Sequence, residues 1–375
     1  MTNDNILSKT ISYLRFPLTV GVVLIHFNMG KGLSVHGIEY GLNNPEWFFY
    51  LTKLCSEILP SIAVPLFFLI SGFLFFYHTD FDRQAYFKKL RSRARTLLLP
   101  YILWNVISIV WQGVRVIPGL SKIFPNAHEI QIDWSASALL NVFWNNKADI
   151  LVHPATDVID PNMYPACVPM WYVRELILMV LLAPAIYYLI KKSGQHFVLV
   201  LGLAWYVTQP LYPGYPHQVL AAAFFFSWGA WFSIRKADFV ATFRKYSIVP
   251  LLYIPIVIAD ILTREEAYNH YIHAAGIVMG VMTAVALTSR LLGKGKIQVN
   301  GFLANASFFV FALHTLFLTD VGKAIFKLMH QPESVAFWLP FYFLVPAVDI
   351  AVCLLLYKGL KKYFPRMAGV LTGGR

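Results

Sequence analysis

The chain has 375 residues, 58% of them hydrophobic and only 13% charged, a balance that excludes an ordinary soluble protein and predicts a membrane-embedded one. Its formal net charge of +12 comes from 31 Lys and Arg against 19 Asp and Glu. The basic residues cluster in short loops between apolar stretches, so the excess reads as a topology signal and not as evidence for nucleic-acid binding. Part of it is also suited to anionic headgroups or to a phosphorylated ligand.

Apolar runs near 11–27, 58–77, 97–117, 170–190, 197–213, 218–234, 247–263, 272–292, 302–320 and 337–357 predict an all-α, polytopic bundle of about ten transmembrane helices. No stretch repeats another at a fixed period, so 1–375 is read as a single membrane-embedded domain. The N-terminal segment lacks a small-residue cleavage site, so the first span is expected to be retained. The loop after the second span carries Arg83, Lys88, Lys89, Arg91, Arg93 and Arg95. Later basic groups at Lys191/Lys192, Arg235/Lys236, Arg244/Lys245, Arg290/Lys294/Lys296 and the tail from Lys358 to Arg366 fall on the same side. The positive-inside rule then places both termini in the cytoplasm.

The first span, ISYLRFPLTVGVVLIHF, holds Arg15 and His26. Ionisable groups in a membrane helix are expensive and usually face a bundle interior or a watery cavity. Eleven residues at about 100° each return the two to within about 20° of one helix face, roughly 16 Å apart along it. That layout suits an anionic ligand at one end and proton chemistry at the other. A snorkelling arginine and a hydrogen-bonded buried histidine are the structural alternative. In the second span, PLFFLISGFLFF places Ser71–Gly72 amid Phe and Leu, either for close helix packing or for close approach of a ligand.

The basic run puts Lys88, Arg91 and Arg95 on one helical face, with Lys89 and Arg93 on another. The first set is either a headgroup-binding face or a clamp for phosphates, for which Arg offers bidentate geometry. The longest connection, 118–169, is expected outside. Its Trp134, Trp144, Asn145 and Asn146 fit an ordered cap over a sugar-binding site as well as an ordinary packed lid. MWYVREL then brings Trp171, Arg174 and Glu175 to the start of the fourth span, and neither charge simply neutralises the other because neighbours point about 100° apart. SFFVFALH brings His314 into the ninth span, and Asp260, Asp320 and Asp349 are further carboxylates in or near the membrane. Cys55, Cys167 and Cys353 offer neither metal spacing nor a disulfide framework, although one Cys55–Cys167 bridge is open beside free thiols.

Taken together, Arg15 with His26, PLFFLISGF, the run from Arg91 and Arg95 to LLLPY, PMWYVREL and SFFVFALH resemble the acyltransferase-3 family of integral membrane acyltransferases, in the family's order and over nearly the whole chain. Members usually carry Asp where this chain has Ser12 and often Gly where it has Phe16. The resemblance implies transfer of an acyl group, commonly acetyl, from cytoplasmic acyl-CoA as co-substrate to a hydroxyl of an extracytoplasmic carbohydrate or lipid-linked glycan, in a bacterial cytoplasmic membrane, with no tightly bound cofactor or metal. On that reading Arg15, Ser71, Gly72, Lys88, Arg91 and Arg95 serve the donor. Trp134, Trp144, Trp171, Arg174 and His314 serve the acceptor. His26 is the general base; apart from the resemblance, the position of Glu175 suits it to hold the second ring nitrogen of His26 and fix its tautomer. A proton-coupled secondary transporter of a small anionic solute is the alternative for the same intramembrane charges.

Overall fold

The computed structural model describes residues 3–29, 33–35, 38–41, 43–117, 135–145, 163–209, 215–246, 248–328 and 334–374. Long Leu-, Phe- and Val-rich stretches fold as helices because only intra-segment hydrogen bonds satisfy a backbone that water does not reach. In chain order they begin with α1 (Asn3–His26), followed by a two-stranded antiparallel ladder of β1 (Leu33–Val35) and β2 (Ile38–Tyr40) in the register Leu33↔Tyr40. Then come α2 (Glu46–Lys53), α3 (Ala63–Phe76), α4 (Arg83–Arg93), α5 (Leu99–Arg115) and α6 (Ala136–Asn141). The sequence continues through α7 (Trp171–Ser193), α8 (Gln195–Val207), α9 (Tyr215–Ile234), α10 (Phe239–Lys245) and α11 (Val249–Leu262). It closes with α12 (Asn269–Gly293), α13 (Gly301–Leu328), α14 (Val335–Tyr363) and α15 (Pro365–Leu371).

Two of the junctions are wound loosely. A π-helical turn, Leu54–Ile58, and a tight 3-10 turn, Leu59–Ile62, join α2 to α3, and another π turn, Ala94–Leu98, joins α4 to α5. Pro60 and Pro100, which lack the N–H of a regular helix, stand at or just after these breaks.

Among the described residues, six helical runs are long and apolar enough to cross a membrane: Glu46–Phe76, Arg83–Arg115, Val168–Ser193, Asn269–Gly293, Gly301–Leu318 and Val335–Tyr363. The bent pair of α10 and α11, turned by 81°, makes a seventh if it counts as one span. The protein is thus a multi-pass membrane protein. The other three expected spans are helical but fall short by length or composition. Thirteen residues of α8 reach only about 20 Å, against about 30 Å of hydrocarbon. Lys9, Arg15 and His26 dilute α1, and His217 and Gln218 open α9.

Backbone contacts group the chain into two units. The first comprises Met1–Ile25, Leu54–Arg93 and Glu175–Ser307. At its centre α3 crosses α9 with almost no side chain between them. A Cβ on Gly72 would stand 1.9 Å from the Phe226 carbonyl oxygen, and one on Gly229 the same distance from that of Leu69. Ser233 Oγ donates across the same crossing to the Phe73 carbonyl at 2.7 Å. Small residues admit this approach, the usual device of membrane helices. The second unit comprises His26–Lys53, Ala94–Arg174 and Phe308–Arg375. Its core is aromatic: Phe48, Phe326, Trp338, Phe341 and Tyr342 are buried and in ring contact along α2, α13 and α14.

Candidate active site

In the first unit, Arg15 lines a cavity of about 350 Å³ together with Leu7, Ser8, Ile11, Ser12, Phe73, Leu74, Tyr77 and His78. One turn on, Thr19 Oγ1 donates to the Arg15 carbonyl at 3.0 Å, so the hydroxyl is satisfied within the helix. Ser12 shares the cavity, whose lining is otherwise largely aliphatic, aromatic and hydroxyl. Gly72 does not open onto it. Its bare face is filled by the backbone of α9, as the packing reading of Gly72 expects.

In the second unit, His26 ends α1 and its ring centroid lies 5.1 Å from that of His314 on α13, tilted by 50°. His26 is exposed, whereas His314 is fully buried at 0%. His314 Nδ1 stands 2.9 Å from the Phe311 carbonyl and 3.2 Å from that of Val310. Carbonyl oxygens only accept, so Nδ1 must carry the proton and Nε2 the lone pair. That Nε2 is buried without a hydrogen bond among the described residues. Desolvated groups of this kind are rare and call for a functional or structural reason.

A polar cluster ties the end of the long connection to the same unit. Asn105 of α5 accepts from the Cys167 backbone N–H at 2.9 Å, Ser108 donates to the Ala166 carbonyl at 2.9 Å, and Cys167 Sγ donates to the Ala312 carbonyl at 3.4 Å. These bonds seat the end of the long connection against α5 and α13, two residues from His314. Arg174 holds the same connection from the other side. It is 3% exposed, donates to the carbonyls of Trp144 and Met163, and lies 5.0 Å from the Trp144 ring centroid. Arg174 and Trp144, both expected at the acceptor site, are therefore brought together, with Arg174 occupied in fixing the backbone. Arg115 pairs with Asp320 at 3.2 Å, and Gln112 accepts from it at 3.2 Å.

The remaining expected residues are placed more simply. Glu175 is fully buried in α7, and Trp171 is half-buried at its start. Ser71 is half-buried in α3. Lys88, Arg91 and Arg95 are exposed, whereas Lys89 and Arg93 lie over the Phe75 ring at 5.3 and 6.0 Å. Trp134 and Asn146 lie outside the described residues, as does most of 118–169. All three cysteines are free, so the possible Cys55–Cys167 bridge is not formed. Sequence reasoning passed over Asn105 and Ser108, although an amide inside the apolar run of α5 was signal enough.

The chain is a multi-pass membrane protein with ionisable side chains inside its apolar helices. The acyltransferase-domain model of the acyltransferase-3 family matches residues 9–358, and the chain belongs to that family. It is an acyltransferase. Over 386 aligned positions it is 24% identical to the succinoglycan biosynthesis protein ExoH of Rhizobium meliloti (strain 1021), covering 99% of this chain and 94% of that one. No solved structure matches.

Proposed function

We propose that this protein transfers an acyl group, acetyl in the first instance, from cytoplasmic acyl-CoA to a hydroxyl of an extracytoplasmic glycan. The observation that carries the reading is the imidazole pair, an exposed His26 against a buried His314 whose Nε2 lone pair has no hydrogen bond among the described residues. The family supplies the reaction class, and the similarity to a protein of succinoglycan biosynthesis supports a polysaccharide acceptor. The proposed topology has ten spans in a bacterial cytoplasmic membrane, with both termini on the cytoplasmic side.

In this mechanism the donor enters past Arg15, and its thioester reaches His26 along α1, an interval of roughly 16 Å that an extended pantetheine arm spans. His26 takes the proton of the acceptor hydroxyl as that oxygen attacks the thioester carbonyl. The tetrahedral intermediate collapses, breaking the C–S bond. The departing thiolate takes the proton back from His26, leaving ester and free CoA. His314 is a positioning residue here: its lone pair accepts from the imidazolium of His26 and steadies it, the role that sequence alone gave to Glu175. Trp144 offers an exposed ring to the sugar, and Lys88, Arg91 and Arg95 offer exposed cations to the CoA phosphates.

Purified protein incubated with acetyl-labelled CoA and a panel of bacterial glycans tests the reading. Label should appear as a base-labile ester on the glycan. Transfer to no glycan hydroxyl, with label instead moving across vesicle membranes as intact solute, would favour transport.

A further inference from the structure

We propose that a second cavity, about 460 Å³ and lined among others by Tyr77, His78, Tyr187, Lys191 and Lys236, binds the phosphorylated nucleotide end of the acyl donor. This rests on the acyl-CoA reading above and names a part of the donor site that the basic run does not include. Among the described residues, His78 and Lys236 are the two non-glycine residues in the left-handed region, with φ of 48° and 56°. Both line this one cavity.

Each sits where glycine is the easier choice. Tyr77 has φ −60° and ψ 130°, and the Thr79 N–H donates to the Phe76 carbonyl at 3.2 Å, so His78 is the third residue of a type II turn. At the end of α9, the Lys236 N–H donates to the Ser233 carbonyl at 3.0 Å and the Ala237 N–H to that of Phe232 at 2.8 Å. That is the Schellman pattern, whose left-handed position is usually glycine. Two strained positions that keep a basic or titratable side chain, facing a common space, point to a use for those side chains.

The lining suits a nucleotide. Lys191 and Lys236 offer ammonium groups for phosphates. Of the two carboxylates in the lining, Asp238 is committed: its Oδ1 accepts from Val240 N–H at 2.8 Å and Ala241 N–H at 3.1 Å, so its charge is set against the N-terminus of α10. Asp80 is the other, so the lining sets two ammonium groups against two carboxylates, one of them turned to the backbone of α10. Tyr187, packed against Phe76 and Phe81, and Tyr77, packed against Phe73 and His78, make part of the lining aromatic. The volume falls within the roughly 300–1,000 Å³ of small-molecule sites. Leu7, Tyr77 and His78 line this cavity and the Arg15 cavity alike, so a nucleotide held here directs the rest of the donor towards Arg15.

The test uses the full chain in detergent and three probes: CoA, adenosine 3′,5′-bisphosphate and pantetheine. His78→Gly and Lys236→Gly relax the two turns, so a loss of binding in them is not a loss of fold. Lys191→Ala is the third variant. Each lysine replacement should weaken binding of CoA and the bisphosphate about tenfold and leave pantetheine unchanged. CoA bound equally by wild type and all three variants would overturn the cavity assignment and leave the donor reading standing. A wild type that binds no CoA at all would bring down the donor reading and this proposal with it. Variants that lose affinity only for phosphatidylglycerol vesicles would make the cavity a lipid-headgroup site and overturn the proposal as well.

Discussion

Two histidines in this molecule, each within its own unit, meet buried polar surroundings that are completed differently. His273 of α12 stands 2.7 Å from Asp260 Oδ2, while Asp260 Oδ1 accepts from Asn269 at 3.0 Å and from Arg264 at 3.4 Å. Arg264 also reaches Glu57, in the π turn before α3, at 2.8 Å. Each charge there has an opposite charge and a hydrogen bond. His314 has its Nδ1 satisfied by its own helix and its Nε2 left without a hydrogen bond among the described residues, with the exposed His26 ring beside it. A closed network holds helices together, and an imidazole pair with an uncommitted lone pair has chemistry left to do. The role proposed for the His26–His314 pair uses that ring nitrogen.

The largest effect expected from this contrast is on rate. His26→Ala should lower acyl transfer by about two to four orders of magnitude, the usual loss of a general base, with thermal unfolding in detergent little changed. Next is an effect on stability. Asp260→Ala leaves Arg264 and His273 without their shared carboxylate, and breaking such a buried pair costs about 3 kcal/mol. Its thermal midpoint should fall well below wild type, while the folded fraction keeps its turnover number. A stable but inactive Asp260→Ala protein, or a His26→Ala protein that is destabilised yet keeps its full turnover number, would invert the comparison.

The pairing logic explains what could be read in advance. Arg15, His26 and His314 are legible because an ionisable residue inside an apolar run is costly wherever it points, so each stands out without any knowledge of its neighbours. Each of the ten expected spans holds a described helix, although α11 reaches the length of a span only with α10 and α1, α8 and α9 fall short of the length or composition of one. What sequence could not decide is partnership. Arg115 finds Asp320 two hundred residues away, Arg174 finds the backbone carbonyls of Trp144 and Met163, and Gly72 finds the backbone of α9. The strained His78 and Lys236 were equally hidden, because a turn's φ is written in its geometry and not in the letters His and Lys.

A smaller effect sharpens the catalytic half of the contrast. His314→Gln removes the ring lone pair yet keeps a polar side chain of similar length. It should slow transfer about tenfold and change the shape of the pH–rate profile, as expected when a positioning hydrogen bond to the base is lost. Simple loss of packing would lower the rate evenly at every pH, so an unaltered profile would return His314 to a structural role.

The smallest expected effect carries the same distinction to the basic run. Lys89 and Arg93 lie over the Phe75 ring and are committed to packing, whereas Lys88, Arg91 and Arg95 are exposed. If the exposed set receives donor phosphates, Arg91→Ala and Arg95→Ala should each raise the KM for acetyl-CoA about threefold, the scale of a solvent-exposed charge pair. Raising the ionic strength should imitate the substitutions in wild type and have little further effect on the variants, because salt screens the same interaction. Arg15, inside a cavity, should respond to salt much less. Unchanged KM in both loop variants, with a salt response that persists, would shift the phosphate contacts from the run to Lys191 and Lys236, where the strained turns already gather cations around one cavity.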